Sequence, residues 1–388
     1  MFITLNGDNK NSTIYDVKGA TMTNDLKPAR YYALDALRGL TIAMMILVNT
    51  AGSWEHIYAP LEHADWNGFT PTDLVFPFFL FVVGSAMFFS FSKTGFEWSN
   101  AQGIKILRRT AIIFIIGLIF NAVLMQNALI DIRIMGVLQR IALAYAIAAV
   151  LVLCASRTAI YIISVAILLG YWAMLYLGGG TDTYGLQTNL VTHFDAYVLG
   201  PKHLWMGKGI PFDPEGLLST LPSIVNVLIG FEVTRHITSQ QDKFRSVWML
   251  MGVGCAALVL GLVWNIWMPI NKSLWTSSFV VYTAGYFMII LALFIWLIDV
   301  KGLDSAAKPL YIYGANPLFI YVLSAFWAHA YGLIPVAGEA GNLYAAMYLA
   351  LAKFMDPLNA SLAFALIHVL LFWLISLFLY KKKIFIKV

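Results

Sequence analysis

His63-Ala64-Asp65-Trp66-Asn67-Gly68-Phe69-Thr70-Pro71-Thr72-Asp73 is a polar, titratable run set between two apolar segments, about 36–54 and 72–92. Each segment is near the ~20 residues a helix needs to cross ~30 Å of hydrocarbon. A histidine and two carboxylates at such a boundary cost free energy unless they meet water, a partner or a substrate. The fold class follows from the oily flanks, and the chemistry is sought in the polar run between them.

The pattern repeats along the chain. Ten candidate spans are predicted, at about 36–54, 72–92, 107–126, 136–154, 159–177, 219–237, 246–268, 277–298, 309–330 and 358–380. Hydrophobic residues make up 60%, charged residues 12%, and mean hydropathy is +0.76. Soluble proteins carry roughly 25% charged residues, so a soluble globular domain is excluded. Cys154 and Cys255 both lie in apolar runs and are expected to be small core hydrophobes, not a disulfide or a metal pair. No zinc, P-loop or dinucleotide-binding motif occurs, and no metal is expected.

The net charge of +5 is not a nucleic-acid surface, because the basic residues alternate between the two ends of the spans. One set of loops and tails carries 19 Lys and Arg, the other only Arg133, Arg140, Lys202, Lys208, Lys272 and Lys353, which is 6. The positive-inside rule then predicts cytoplasmic termini, with the His63 loop facing outward. Residues 1–35 read as a polar cytoplasmic tail, 36–380 as the membrane domain and 381–388 as a basic tail anchored at the lipid surface. Within the domain, 178–218 is too long for a simple connector and is expected to fold over the bundle as a large outward loop.

Several polar residues carry two readings. Asn49, at the outer end of the first span, either caps a helix or donates to a developing oxyanion; His63 is either a loop histidine or a base, with His56 competing in the same loop. Asp65, Asn67 and Asp73 are candidates to orient an imidazole, and Asp73 is read chiefly as a cap for the second span. Arg140, about one turn inside the membrane, is expected to pair with Asp73 or Glu215, or to touch substrate. Asp213-Pro214-Glu215-Gly216 resembles a helix start, with Glu215 over an outward cavity. Asn316-Pro317 suggests a broken helix lining a cavity. Asp35 and Arg38, three residues apart, are expected to form an ion pair beside Gly39, which allows close helix approach. Arg38, Arg108, Arg109 and Arg245 fit either orientation or the phosphates of an anionic cofactor.

Taken together, Leu34-Asp35-Ala36-Leu37-Arg38-Gly39-Leu40, Asn49, His63 to Thr70 and Asp73-Leu74-Val75-Phe76-Pro77 resemble the heparan-alpha-glucosaminide N-acetyltransferase family, in particular its short bacterial members. Weaker support comes from Arg133 to Arg140, Asp213 to Leu218, Asn271-Lys272-Ser273-Leu274-Trp275 and Gly314-Ala315-Asn316-Pro317, so the likeness covers roughly 30–380. The resemblance implies a transmembrane enzyme that takes acetyl from cytoplasmic acetyl-CoA and delivers it to a glucosamine-type amine on the far side. It assigns the active-site histidine to His63 and the neighbouring asparagine to Asn49. The segment between them is a few residues longer here than in the lysosomal enzyme. That enzyme's luminal N-terminal domain and first helix are expected to have no counterpart here.

The expectation is therefore an all-α membrane protein of about ten transmembrane helices with a through-bundle cavity. It would sit in a bacterial inner membrane, with the lipid bilayer, acetyl-CoA and an amino-sugar acceptor as partners and a homodimer as the family's assembly. Asp65, Asn67, Asp73, Arg140, Glu215 and Asn316 would line the acceptor side. The competing reading is a permease for amino sugars or oligosaccharides without acetyl transfer.

Overall fold

The computed structural model describes residues 31–125, 129–338 and 340–386. Most of the expected N-terminal tail, with Lys10, Lys18, Lys27 and Arg30, lies outside the described residues, as do Glu339 and Lys387. The described residues form thirteen α-helices: α1 (Tyr32–Asn49), α2 (Val75–Phe91), α3 (Asn100–Met125), α4 (Val137–Cys154), α5 (Arg157–Gly178), α6 (Leu190–Leu199), α7 (Thr220–Ser239), α8 (Lys243–Trp264), α9 (Ser277–Phe294), α10 (Asp304–Tyr313), α11 (Pro317–Leu333), α12 (Leu343–Ala352) and α13 (Pro357–Lys381). This is the polytopic all-helical membrane fold expected from the apolar runs.

Eight helices are long and apolar enough to span a membrane, or nine if the bent pair α10–α11 counts as one span. The sixth expected segment does form a helix, α7, but Asn226, Glu232, Arg235 and His236 lower its apolarity. Burial offsets that polarity: α7 packs among α2, α4, α5 and α9, and most of its residues are buried. The ninth expected span breaks by 59° at Gly314–Asn316, where Pro317 opens α11 with no N–H to continue the ladder.

Close approach of helices rests on glycine. A Cβ on Gly84 of α2 would collide with the Val227 carbonyl oxygen of α7, and one on Gly230 of α7 with the Phe81 carbonyl oxygen. The two helices therefore meet backbone to backbone, and Ser85 Oγ donates across the seam to the Gly230 carbonyl at 3.3 Å. Gly39 of α1 likewise meets the Leu310 carbonyl of α10.

The core joins Ile42, Leu80, Leu138, Ala148, Val227, Phe231, Trp275 and Phe279 from five helices and the segment before α9. Helices α3, α5, α8 and α13 are far less enclosed and present Ile119, Val165, Leu260 and Leu370 outward, the faces that meet lipid in a membrane protein. Cys154 and Cys255 are free but exposed, so they are not core residues as expected; each sits on an outward helix face.

At the His63 end the connections are built, not loose. The 178–218 segment contains α6 and packs Val191 and Phe212 against Tyr171, Leu175, Met268 and Leu274. Trp66 Nε1 donates to the Tyr184 carbonyl at 2.7 Å, and Lys208 Nζ to the Asp65 carbonyl at 2.7 Å. The segment before the last span carries its own short helix, α12. Asp213 does not start a helix: its Oδ1 accepts the Glu215 N–H at 3.0 Å within a turn, and α7 begins only at Thr220.

Candidate active site

The short turn Pro71–Leu74 ahead of α2 places the first functional pair. Proline at its first position supplies the fixed φ, and Thr70 and Asp73 form a reciprocal capping box. Asp73 Oδ2 accepts the Thr70 N–H at 3.0 Å and the Ala64 N–H at 3.3 Å. Its other oxygen, Oδ1, lies 2.7 Å from His63 Nδ1. Capping and orientation, alternatives in the sequence, are divided between the two oxygens of one carboxylate. Asp73 is sealed from solvent while the His63 side chain is 48% exposed, so a fixed anion holds an accessible ring. A carboxylate only accepts, which puts the proton on Nδ1 and the lone pair on Nε2.

The second functional segment is 269–276. Asn271 is buried, accepts the Leu274 N–H at 2.8 Å and donates from Nδ2 to Asn67 Oδ1 at 3.0 Å, tying this segment to the His63 loop. Trp275 has φ of +51°, which a bulky side chain adopts only under constraint, at a cost of about 1–3 kcal/mol. Its indole is fully buried and donates to Asn226 Oδ1 at 2.8 Å. Between these anchors Lys272 projects toward His63: its Nζ is 3.0 Å from Nδ1, 3.1 Å from Nε2 and 3.7 Å from Asp73 Oδ1. Burial pushes the Lys272 ammonium below the usual lysine range, against the pull of Asp73 and Glu215.

Asn49, His63, Thr72, Glu215, Lys272 and Tyr321 line one cleft, floored by Met45, Val48, Phe79 and Ile141, with about 610 Å³ of space including its mouth. Asn49 is exposed to it and makes no side-chain hydrogen bond among the described residues. Glu215 is fixed by Arg133, whose Nη2 donates to Oε2 at 2.6 Å; Arg133 also grips Asp213 through two bonds of 2.7 and 2.6 Å. Burial opposes ionisation of Glu215, but Arg133, Arg140 and Lys272 outweigh it and hold the carboxyl below its usual range.

The structure thus brings together Asn49, His63, Asp73 and Glu215, with Asn67 one step behind through Asn271. Arg140 does not pair with Asp73 or Glu215: Asp73 meets His63, and Glu215 meets Arg133. Arg140 is fully buried, 4.7 Å over the Trp275 ring, and donates to Ser219 Oγ and to the Gly216 carbonyl at 3.3 Å. Asp65 is exposed and its side chain makes no ion pair among the described residues.

Asn316 is not at the cleft. It donates to the Ile384 carbonyl at 3.0 Å and accepts the Ile386 N–H at 2.7 Å, fastening the C-terminal segment to the α10–α11 bend. The four arginines considered for an anionic cofactor stay apart in their described contacts. Arg38 pairs with Asp35 at 2.5 Å as expected, Arg109 lies 4.6 Å over the Tyr145 ring, and Arg108 and Arg245 are exposed.

Thr72, Lys272 and Tyr321 are the polar cleft residues that sequence reasoning missed. For Lys272 a signal existed, since it is one of only six basic residues on the sparse side of the charge tally. No group of three or more His, Cys, Asp or Glu among the described residues could hold a metal ion. Chemically, an oriented imidazole with an unprotonated Nε2 can take a proton, and an unengaged amide on the same cleft can donate to an oxyanion.

The family model described as heparan-alpha-glucosaminide N-acetyltransferase, catalytic, matches residues 30–262. Heparan-alpha-glucosaminide N-acetyltransferase of Homo sapiens is 29% identical over 367 residues, covering 79% of this chain and 54% of that protein. The Mus musculus protein of the same name is 27% identical over 353 residues, covering 76% and 53%. The chain therefore spans about half the length of the curated relatives it matches.

Proposed function

The chain belongs to the heparan-alpha-glucosaminide N-acetyltransferase family, and from that premise we propose that it is a membrane acyltransferase moving acetyl from acetyl-CoA to the amine of a glucosamine-type sugar. The observation that carries the reading is the His63–Asp73 pair at 2.7 Å on the cleft that Asn49 also lines.

In this reading His63 Nε2 accepts a proton from the acceptor amine as its nitrogen attacks the thioester carbonyl, and Asp73 stabilises the imidazolium that forms. Asn49 Nδ2 donates to the oxygen that gains charge. The carbon–sulfur bond then breaks, and His63 returns its proton to the departing thiolate. Direct transfer with both substrates bound is the preferred sequence; an acetyl-histidine intermediate at His63 is the variant form.

The charge tally supports a cytoplasmic donor side and an outward acceptor side, and the resemblance to short bacterial members is the ground for proposing a bacterial inner membrane. Arg38, Arg108, Arg109 and Arg245 belong to the richer side and are the candidates to hold the phosphates of CoA, and a homodimer is the proposed assembly. The bend of 59° between α10 and α11 is the observation that favours the carrier reading instead, because broken helices line transport pathways. Reconstituted protein given labelled acetyl-CoA outside and glucosamine inside the vesicle separates the two. Acetylated sugar supports the enzyme; unmodified sugar crossing with no acetylation supports the carrier and overturns the acyltransferase.

A further inference from the structure

The Lys272 amine packs against the base that an acceptor amine would have to use. Its Nζ is within 3.1 Å of both ring nitrogens of His63, on the same cleft as Asn49 and Glu215. The nearest carboxylate oxygen, Asp73 Oδ1, is 3.7 Å away, farther than the imidazole. The side chain is 19% exposed, so little water competes for the nitrogen. Two other lysines at the same end differ on every count. Lys208 donates to the Asp65 carbonyl, Lys202 lies 3.6 Å from Asp131, and neither amine makes a hydrogen bond to an imidazole among the described residues.

We propose that Lys272 is a modification site: when no acceptor is bound, its side-chain amine takes the acetyl group and becomes N-acetyl-lysine. The inference rests on the acyl-transfer reading of this cleft. The Nζ lone pair bonds to the acetyl carbon, and the Nζ proton passes to His63 Nε2. The carbon–sulfur bond of acetyl-CoA breaks, and the thiolate takes the proton from His63 to leave as free CoA. The product has no ammonium and adds an acetyl group to the cleft, so the modified protein is inactive toward sugar. Asp73 and Glu215 favour the charged, unreactive form of the lysine, which keeps the reaction slow beside turnover, and an incoming acceptor amine displaces it from the base.

The test incubates the purified full chain with acetyl-CoA, with and without glucosamine, and maps acetylated peptides by mass. Lys272 is expected to be modified on the order of 10²-fold more than Lys202 and Lys208, the size of a general-base contribution. Glucosamine should suppress the mark, and His63→Ala, checked for an unchanged melting temperature, should abolish it. Acetylated sugar with Lys272 no more modified than Lys202 and Lys208 overturns the proposal alone. So does equal Lys272 modification in His63→Ala. If neither sugar nor Lys272 is acetylated, the acyl-transfer reading falls and the proposal with it. Acetylated Lys272 without acetylated sugar supports the proposal and overturns only the acceptor class.

Discussion

His63 Nδ1 donates to Asp73 Oδ1 at 2.7 Å, joining a half-exposed imidazole to a carboxylate that is itself shut off from solvent. The bond fixes both the tautomer and the direction of the ring. Asp73→Asn keeps an oxygen for the Thr70 N–H but no longer favours the productive tautomer. Acetyl transfer is expected to fall about 10²–10⁴-fold, the range of general-base contributions, with little change in melting temperature. A variant that is folded and nearly as fast as wild type would show that the carboxylate does not hold the base.

Arg133 compensates two carboxylates at once, through 2.6–2.7 Å bonds to Asp213 and Glu215. Arg133→Met leaves both acids buried without their cation and should destabilise the protein by about 3–5 kcal/mol. Thermal unfolding in detergent measures it. An unchanged midpoint would mean that Glu215 is not held by Arg133.

The seam between α2 and α7 depends on two missing side chains. Gly84→Ala forces a Cβ into the Val227 carbonyl, and separating the helices should cost about 1–3 kcal/mol. Gly170→Ala on α5 is the control, because a Cβ there meets nothing within 4 Å. Denaturant midpoints should fall for the first variant and stay put for the second; equal midpoints would mean that the seam can relax.

Asp195 on α6 gives a stability change with pH. Burial, and secondarily the charge of Asp213, raises its carboxyl from the ordinary 3.8 to about 6. The folded chain therefore keeps a proton that the unfolded chain has lost between those values, so this group's contribution declines as pH rises from about 4 through 6 and is level above. The loss is at most on the order of 3 kcal/mol. Asp195→Asn should flatten that part of the unfolding profile, and an unchanged slope would assign the pH dependence to other groups.

The membrane fold was legible because span length and apolarity are local properties, and every expected span became helix. Partial exceptions had local causes that window averages hide. Helix α7 is polar yet enclosed, and α10–α11 breaks at Asn316-Pro317. At the site, His63 and Asn49 were reached through the family resemblance, and the structure sets both on one cleft. Asp73 was divided between two readings because a sequence cannot show that its two oxygens face different partners. Arg133 and Arg140, seven residues apart, are equivalent by type. Only the fold of the 213–216 turn decides which one meets the carboxylates. Lys272 lay 209 residues from His63 and had no local pattern linking it to the histidine.

The central claim is that His63 is the base of an acetyl-CoA-dependent transfer to an amino sugar. The most direct measurement is single-turnover acetylation of glucosamine by purified wild type and His63→Ala, with CoA binding measured on both proteins. The account predicts acetylated sugar from wild type, and from the variant a rate at least about 10²-fold lower with CoA binding largely intact. Near-normal acetylation by a folded His63→Ala protein would contradict it.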